Sequence, residues 1–187
     1  MIDTYGSGWP QAVHPSWLKC KVLEVLPQDE FLLFDADIIC LQPWNPEKVF
    51  ADNGRKFCAV PDRICQMVHQ ECLAFQLPYP NWYVNAGLTM FSREHAFVWQ
   101  RTWQRHPKFG RWLEQTALNV ALKEFEDSGG GVCRLPRNYN TLPSLEDGKN
   151  NFAWPTPETK DVINFHYADL GGNTAKLIAL QKELGME

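Results

Sequence analysis

Phe31-Leu-Leu-Phe-Asp35-Ala-Asp37-Ile-Ile-Cys-Leu41 is an apolar run interrupted by two carboxylates. An apolar run of this length between turn residues reads as a buried strand of a parallel or mixed sheet. Placing an unpaired charge in such a strand is costly, so two aspartates there need a partner. Strand residues two apart point to the same side, which brings Asp35 and Asp37 together at the strand's carboxyl end, where open sheets place their ligands. Two oxygen donors so placed suit Mg²⁺ or Mn²⁺ holding a diphosphate. The plainer alternative is a strand end with two solvent-facing aspartates, and this stretch alone does not choose between them.

The chain around it is 187 residues long, enough for one domain with a full core. Its formal net charge is −4 and it has no Lys/Arg stripe, which argues against a nucleic-acid partner. No apolar run is long enough for a transmembrane segment, and Met1 to Gly8 is not a basic region leading into an apolar one. The six cysteines include no Cys-x-x-Cys pair. Together these features predict reduced, mostly packed thiols in a cytoplasmic protein, with a disulfide as the alternative.

Outward from the central stretch, the pattern predicts alternating helices and strands. Residues 1–15 read as a Gly/Pro loop, and Ser16 to Leu26 as a short amphipathic helix ended by Pro27. Pro43 to Gly54 reads as loop, Pro61 to Phe75 as helix, and Trp82 to Phe91 as a strand interrupted at Asn85-Ala86-Gly87. Helices are expected from Ser92 towards His106 and over Trp112 to Phe125. A short strand follows at Val132 to Leu135, then a polar, Pro-rich wall or lid from Asn138 to Thr159. Asp161 to Tyr167 reads as a strand containing His166, and Asn173 to Leu184 as a final helix. The fold class is α/β: a single domain with a mostly parallel or mixed sheet flanked by helices.

Four segments together resemble the GT-A-fold glycosyltransferases, closest to the glycogenin and galactosyltransferase-like enzymes that use nucleotide sugars. They are the Asp35-Ala36-Asp37 strand; Tyr83-Val-Asn85-Ala-Gly87; Glu114-Gln115-Thr-Ala-Leu-Asn119 with Leu135-Pro-Arg-Asn-Tyr-Asn140; and Asn164-Phe-His166 with Lys176 downstream. The resemblance implies a core over residues 16–176, with 177–187 as the end of the last helix. It also implies a metal-dependent hexosyltransferase using a nucleoside diphosphate sugar, uridine-based, with retention at the anomeric carbon and a hydroxyl acceptor. In that scheme Asp35, Asp37 and His166 hold the metal, with Mn²⁺ favoured over Mg²⁺ by the imidazole. Gln115 and Glu114 meet the reacting sugar. Asn85, Gly87, Asn140, Lys176 and Lys19 line the donor and acceptor sites.

There are two departures. Only 34 residues precede Asp35, where the family carries roughly 80 to 100 of nucleotide-binding sheet. The expectation is an N-terminally reduced domain: either those elements are lost or this is a fragment whose first half lies elsewhere, with a partner chain as one way to complete the nucleotide site. A catalytically inactive or partner-dependent fragment is therefore one alternative function. Glu114 also stands where the family has Asp, one methylene shorter. A haloacid-dehalogenase-like phosphatase is the other alternative. It shares the Asp-x-Asp strand, but it wants Thr or Gly where Ile38-Ile39 follow here.

Overall fold

The computed structural model describes residues 15–106, 109–142, 145–146, 151–152 and 161–166. Its centre is a four-stranded mixed sheet of β1 (Glu30–Phe34), β4 (Val84–Ser92), β3 (Phe57–Pro61) and β5 (Val132–Arg134), in the order β1-β4-β3-β5. β4 is antiparallel to both of its neighbours, and β5 runs parallel to β3. Two-stranded ladders join β2 (Ile38–Cys40) to β8 (Asn164–His166) and β6 (Leu145–Glu146) to β7 (Asn151–Phe152).

The inner strands are buried along almost their whole length because both of their faces are covered. Phe57 and Ala59 face a core built with Trp17, Phe91, Trp99, Leu118 and Leu122. Their neighbours Cys58 and Val60 face a second core with Phe50, Leu88 and Met90. The first is roofed by α4 (Ala96–Trp103) and α5 (Glu114–Asp127), the second by α2 (Pro46–Asp52).

The stretch read as one strand is two. β1 ends at Phe34, Asp35 N–H makes a last bond to Gly87 O (2.8 Å), and Ile38 N–H turns back onto Asp35 O (3.1 Å). β2 then leaves for a different sheet, pairing with β8. The two aspartates therefore meet across a turn and not along one strand face. Asn85-Ala86-Gly87, expected to interrupt its strand, lies within a continuous β4, but the pairing with β3 does jump there: Val60 pairs with Asn85 and Ala59 with Thr89.

Other boundaries shift for local reasons. Pro43 to Gly54 contains α2, opened by Asn45, whose side chain accepts from Lys48 N–H (2.9 Å), with Pro46 in the first turn. The segment 16–26 is a 3₁₀ turn, Pro15–Lys21, running into α1 (Val22–Val25). Pro61 closes β3, so the following helix, α3, spans only Gln66–Ala74. Ser92 starts a 3₁₀ turn, and His95 closes its capping box by accepting Ser92 N–H on Nδ1 (3.0 Å). α5 stops at Ser128 and Gly129, whose φ of +91° favours glycine. The expected last helix, 173–184, lies outside the described residues, as does most of 143–160.

All six cysteines are free. No helix among the described residues is long and apolar enough to cross a membrane.

Candidate metal centre and its cavity

The turn between β1 and β2 and the end of β8 bring Asp35, Asp37 and His166 together, with one ligand atom from each lying within 4.8 Å of the others. His166 Nε2 is 3.2 Å from an Asp37 oxygen and 3.7 Å from an Asp35 oxygen. Two ligands at right angles on a small dication, each about 2.1 Å from it, sit about 3.0 Å apart. The trio therefore needs only a slight adjustment to share one ion. Two hard oxygens and one imidazole fit Mn²⁺, and Mg²⁺ less well.

The imidazole is buried, and its Nδ1 has no hydrogen-bond partner. Its seat depends on Gly87. A Cβ at Gly87 would lie 2.3 Å from His166 Cε1 and 2.7 Å from Nδ1. The backbone approached closely here is thus a neighbour of the imidazole. Burial raises the Asp37 carboxyl, but the His166 hydrogen bond and charge, a backbone hydrogen bond and Lys19 outweigh it and leave the group below its ordinary value.

Lys19, on the 3₁₀ turn before α1, anchors the acidic side of the centre. Its ammonium pairs with Asp35, lies 3.6 Å from Glu114, and donates to Ala86 O (3.1 Å). Glu114 opens α5 after Leu113, which has a left-handed φ of +48°. It is buried beside Lys19 and does not line the adjoining cavity.

That cavity has a volume of about 210 Å³ and is walled by Asp35, Asp37, His166, Asp62, Asn85 and Gln115, with Arg63, Trp112 and Leu142 completing it. Gln115 Oε1 accepts from Asn85 Nδ2 (3.1 Å) and Ala86 N–H (3.0 Å), and its Nε2 donates to Asp62 (2.7 Å). Asn85 Oδ1 accepts from Gly87 N–H (2.8 Å) and from Asn140 Nδ2 (2.9 Å). Asn140 is buried behind Asn85, away from the cavity wall. Lys176 lies outside the described residues.

Sequence reasoning does not find Asp62, Arg63 or Trp112. Asp62 follows directly on the apolar run Phe57–Pro61, an acid at a strand's carboxyl end, and that was the available signal. Burial pushes its carboxyl up, opposed by hydrogen bonds from Arg63 N–H, Gln115 and Asn85 and by the Arg63 charge.

No protein-family profile matches the chain, and no curated protein sequence matches it. Solved structures do. A galactosyltransferase, LgtC, in complex with donor and acceptor sugar analogues aligns over 95% of this chain and 69% of its own, at TM-score 0.57 and 18% identity. The bifunctional glycosyltransferase WbbM aligns over 82% of this chain at TM-score 0.56 and 14% identity, and the chain spans only 31% of that enzyme. Mouse xyloside xylosyltransferase 1 aligns over 82% of this chain and 63% of its own, at TM-score 0.50 and 12% identity. At these identities the shared property is the fold, and the architecture is that of the GT-A-like nucleotide-sugar transferases.

Proposed function

We propose that this chain is a metal-dependent glycosyltransferase domain that moves a hexosyl unit from a uridine-type nucleoside diphosphate sugar to a hydroxyl acceptor, with retention. The observation that carries this is the convergence of Asp35, Asp37 and His166 on one wall of a polar cavity within a GT-A-like architecture. A Mn²⁺ ion held by those three residues would neutralise the diphosphate and the charge gathering on the leaving nucleotide.

The chain's own residues do the positioning. Lys19 holds the Asp35 carboxylate and offsets the charge of Glu114 beside it. Asn85, with Gly87 behind it, supplies the amide wall against which the sugar hydroxyls lie. Gln115 and Asp62 continue that polar surface through the Asn85–Gln115 and Gln115–Asp62 hydrogen bonds. Asn140 supports Asn85 from behind. We assign Lys176 to the diphosphate.

The test is a thermal-shift screen of nucleotide sugars with and without Mn²⁺. The expected result is a melting-temperature rise with a uridine diphosphate sugar that requires Mn²⁺ and disappears in Asp37→Ala. A donor response that persists in Asp37→Ala, or no response to any nucleotide sugar, would overturn the proposal.

A further inference from the structure

We infer that Cys58 and Cys133 form a cross-strand dithiol, and that a small disulfide of the glutathione type oxidises it to an intramolecular disulfide fastening β5 to β3. The pair lies outside the candidate metal centre, and the inference does not rest on the sugar-transfer reading.

The two residues are register partners in the parallel ladder between β3 and β5. Such partners carry their side chains on one face, and neighbouring strands lie about 4.8 Å apart. A disulfide bridges Cα separations of about 4.4–6.8 Å, so the ladder itself supplies the spacing. Both side chains belong to the same core, Cys58 within it and Cys133 packed against it.

The sulfurs also lean towards one end of the ladder. Cys58 Sγ donates to Lys56 O (3.2 Å) and Cys133 Sγ to Asn53 Oδ1 (3.0 Å). Both acceptors lie in the turn that joins α2 to β3. Asn53 is oriented for this contact, because its Nδ2 donates to Val49 O (2.8 Å).

Other cysteines lack this arrangement. Cys65 caps α3 and Cys72 lies within it seven residues on, about 10 Å along the helix axis and too far to bridge. Cys40 is exposed, and its partner across the β2–β8 ladder is Asn164.

Burial sets the order of events. Cys133 is half-buried and Cys58 fully buried. Burial pushes the Cys58 thiol up to about 12, and the adjoining Cys133 sulfur adds to the rise. Cys133 therefore meets the reagent, and Cys58 closes the link. The Cys133 thiolate attacks one sulfur of oxidised glutathione, forms a mixed disulfide and expels one glutathione thiolate. The Cys58 thiolate then attacks the Cys133 sulfur and expels the second. The two protein sulfurs are oxidised, the two glutathione sulfurs are reduced, and the two protons lost by the protein end on the released glutathiones. The new bond ties β5, a terminal strand among the described residues, to an inner strand of the sheet.

The test treats the folded protein with oxidised glutathione, blocks the remaining thiols with iodoacetamide, and maps unreduced peptides by mass spectrometry. No nucleotide sugar is present, so the outcome is independent of donor binding. The expected product is a peptide pair joined through Cys58 and Cys133. Cys58→Ser should instead hold a lasting glutathione adduct on Cys133. A lasting Cys133 adduct in the unaltered protein, with no link to Cys58, would overturn the inference. So would an unmodified Cys133 in protein whose exposed Cys40 has reacted. Should Cys58→Ser not fold, the map of the unaltered protein decides by itself.

Discussion

Gly87 shows how much one missing methyl group can decide. The residue lies in the middle of a strand, where glycine is normally a weakness, yet the space it leaves is filled by the His166 imidazole. Gly87→Ala should push the ring off its seat and weaken Mn²⁺ binding about 10-fold or more, read by titration calorimetry, while β4 stays folded. His95 makes a second residue-scale prediction. Burial lowers its pKa, and its Nδ1 accepts Ser92 N–H, a role open only to the unprotonated nitrogen. For a base whose folded pKa lies below its unfolded value, the unfolded chain takes up the proton first. Stability should therefore fall as pH drops from about 6.5 through the folded value, and level off below it. Urea unfolding between pH 7.5 and 5 should show this slope, and His95→Gln should flatten it. At this scale the sequence was informative about atom types and silent about neighbours. Asp35 and Asp37 were legible because carboxylates in an apolar run call for a partner, and His166 only through the resemblance of its segment to the family's. Asp62 was not, because a single acid after a proline looks like any turn residue.

Among elements, the seam between α5 and β4 carries the site. Asn119 spans it, accepting Val84 N–H (2.7 Å) and donating to Val84 O and Gln115 O (both 2.8 Å). Asn119→Ala would leave the buried Val84 N–H and C=O unpaired, a cost of about 3 kcal/mol. Calorimetry should then show a melting temperature lower by roughly 6–12 °C. The helices were readable where the 3.6-residue apolar spacing is long, as in α5, and unreadable in α2, whose Asn45-Pro46 opening also suits a loop. The break at Asp35-Ala36-Asp37 was invisible for a physical reason. The apolar residues on its two sides serve two different sheets, and periodicity does not record which sheet a residue joins.

At the scale of the whole molecule, β1 is a terminal strand of its sheet among the described residues. In its antiparallel ladder with β4, the Asp35 bond to Gly87 fixes the phase, so Phe31 and Leu33 turn their peptide groups inward while Leu32 and Phe34 turn theirs outward. Hydrogen exchange should be faster at Leu32 and Phe34 than at Phe31 and Leu33. Equal protection at all four would mean that another strand covers this side. The mixed α/β architecture was legible in the alternation of strand and helix patterns. The strand order was not, since it depends on long-range pairings such as Glu30 with Ser92 and Phe57 with Val132.

The turn that separates β1 from β2 is also where the two ladders are stitched. Asp35 belongs to the end of one, and Asp37 and His166 flank the other. An ion gripped by all three would act as a rivet through the joint. Its affinity would then include whatever free energy holds the β2–β8 ladder against the main sheet, and chelation would loosen that ladder before anything else in the molecule.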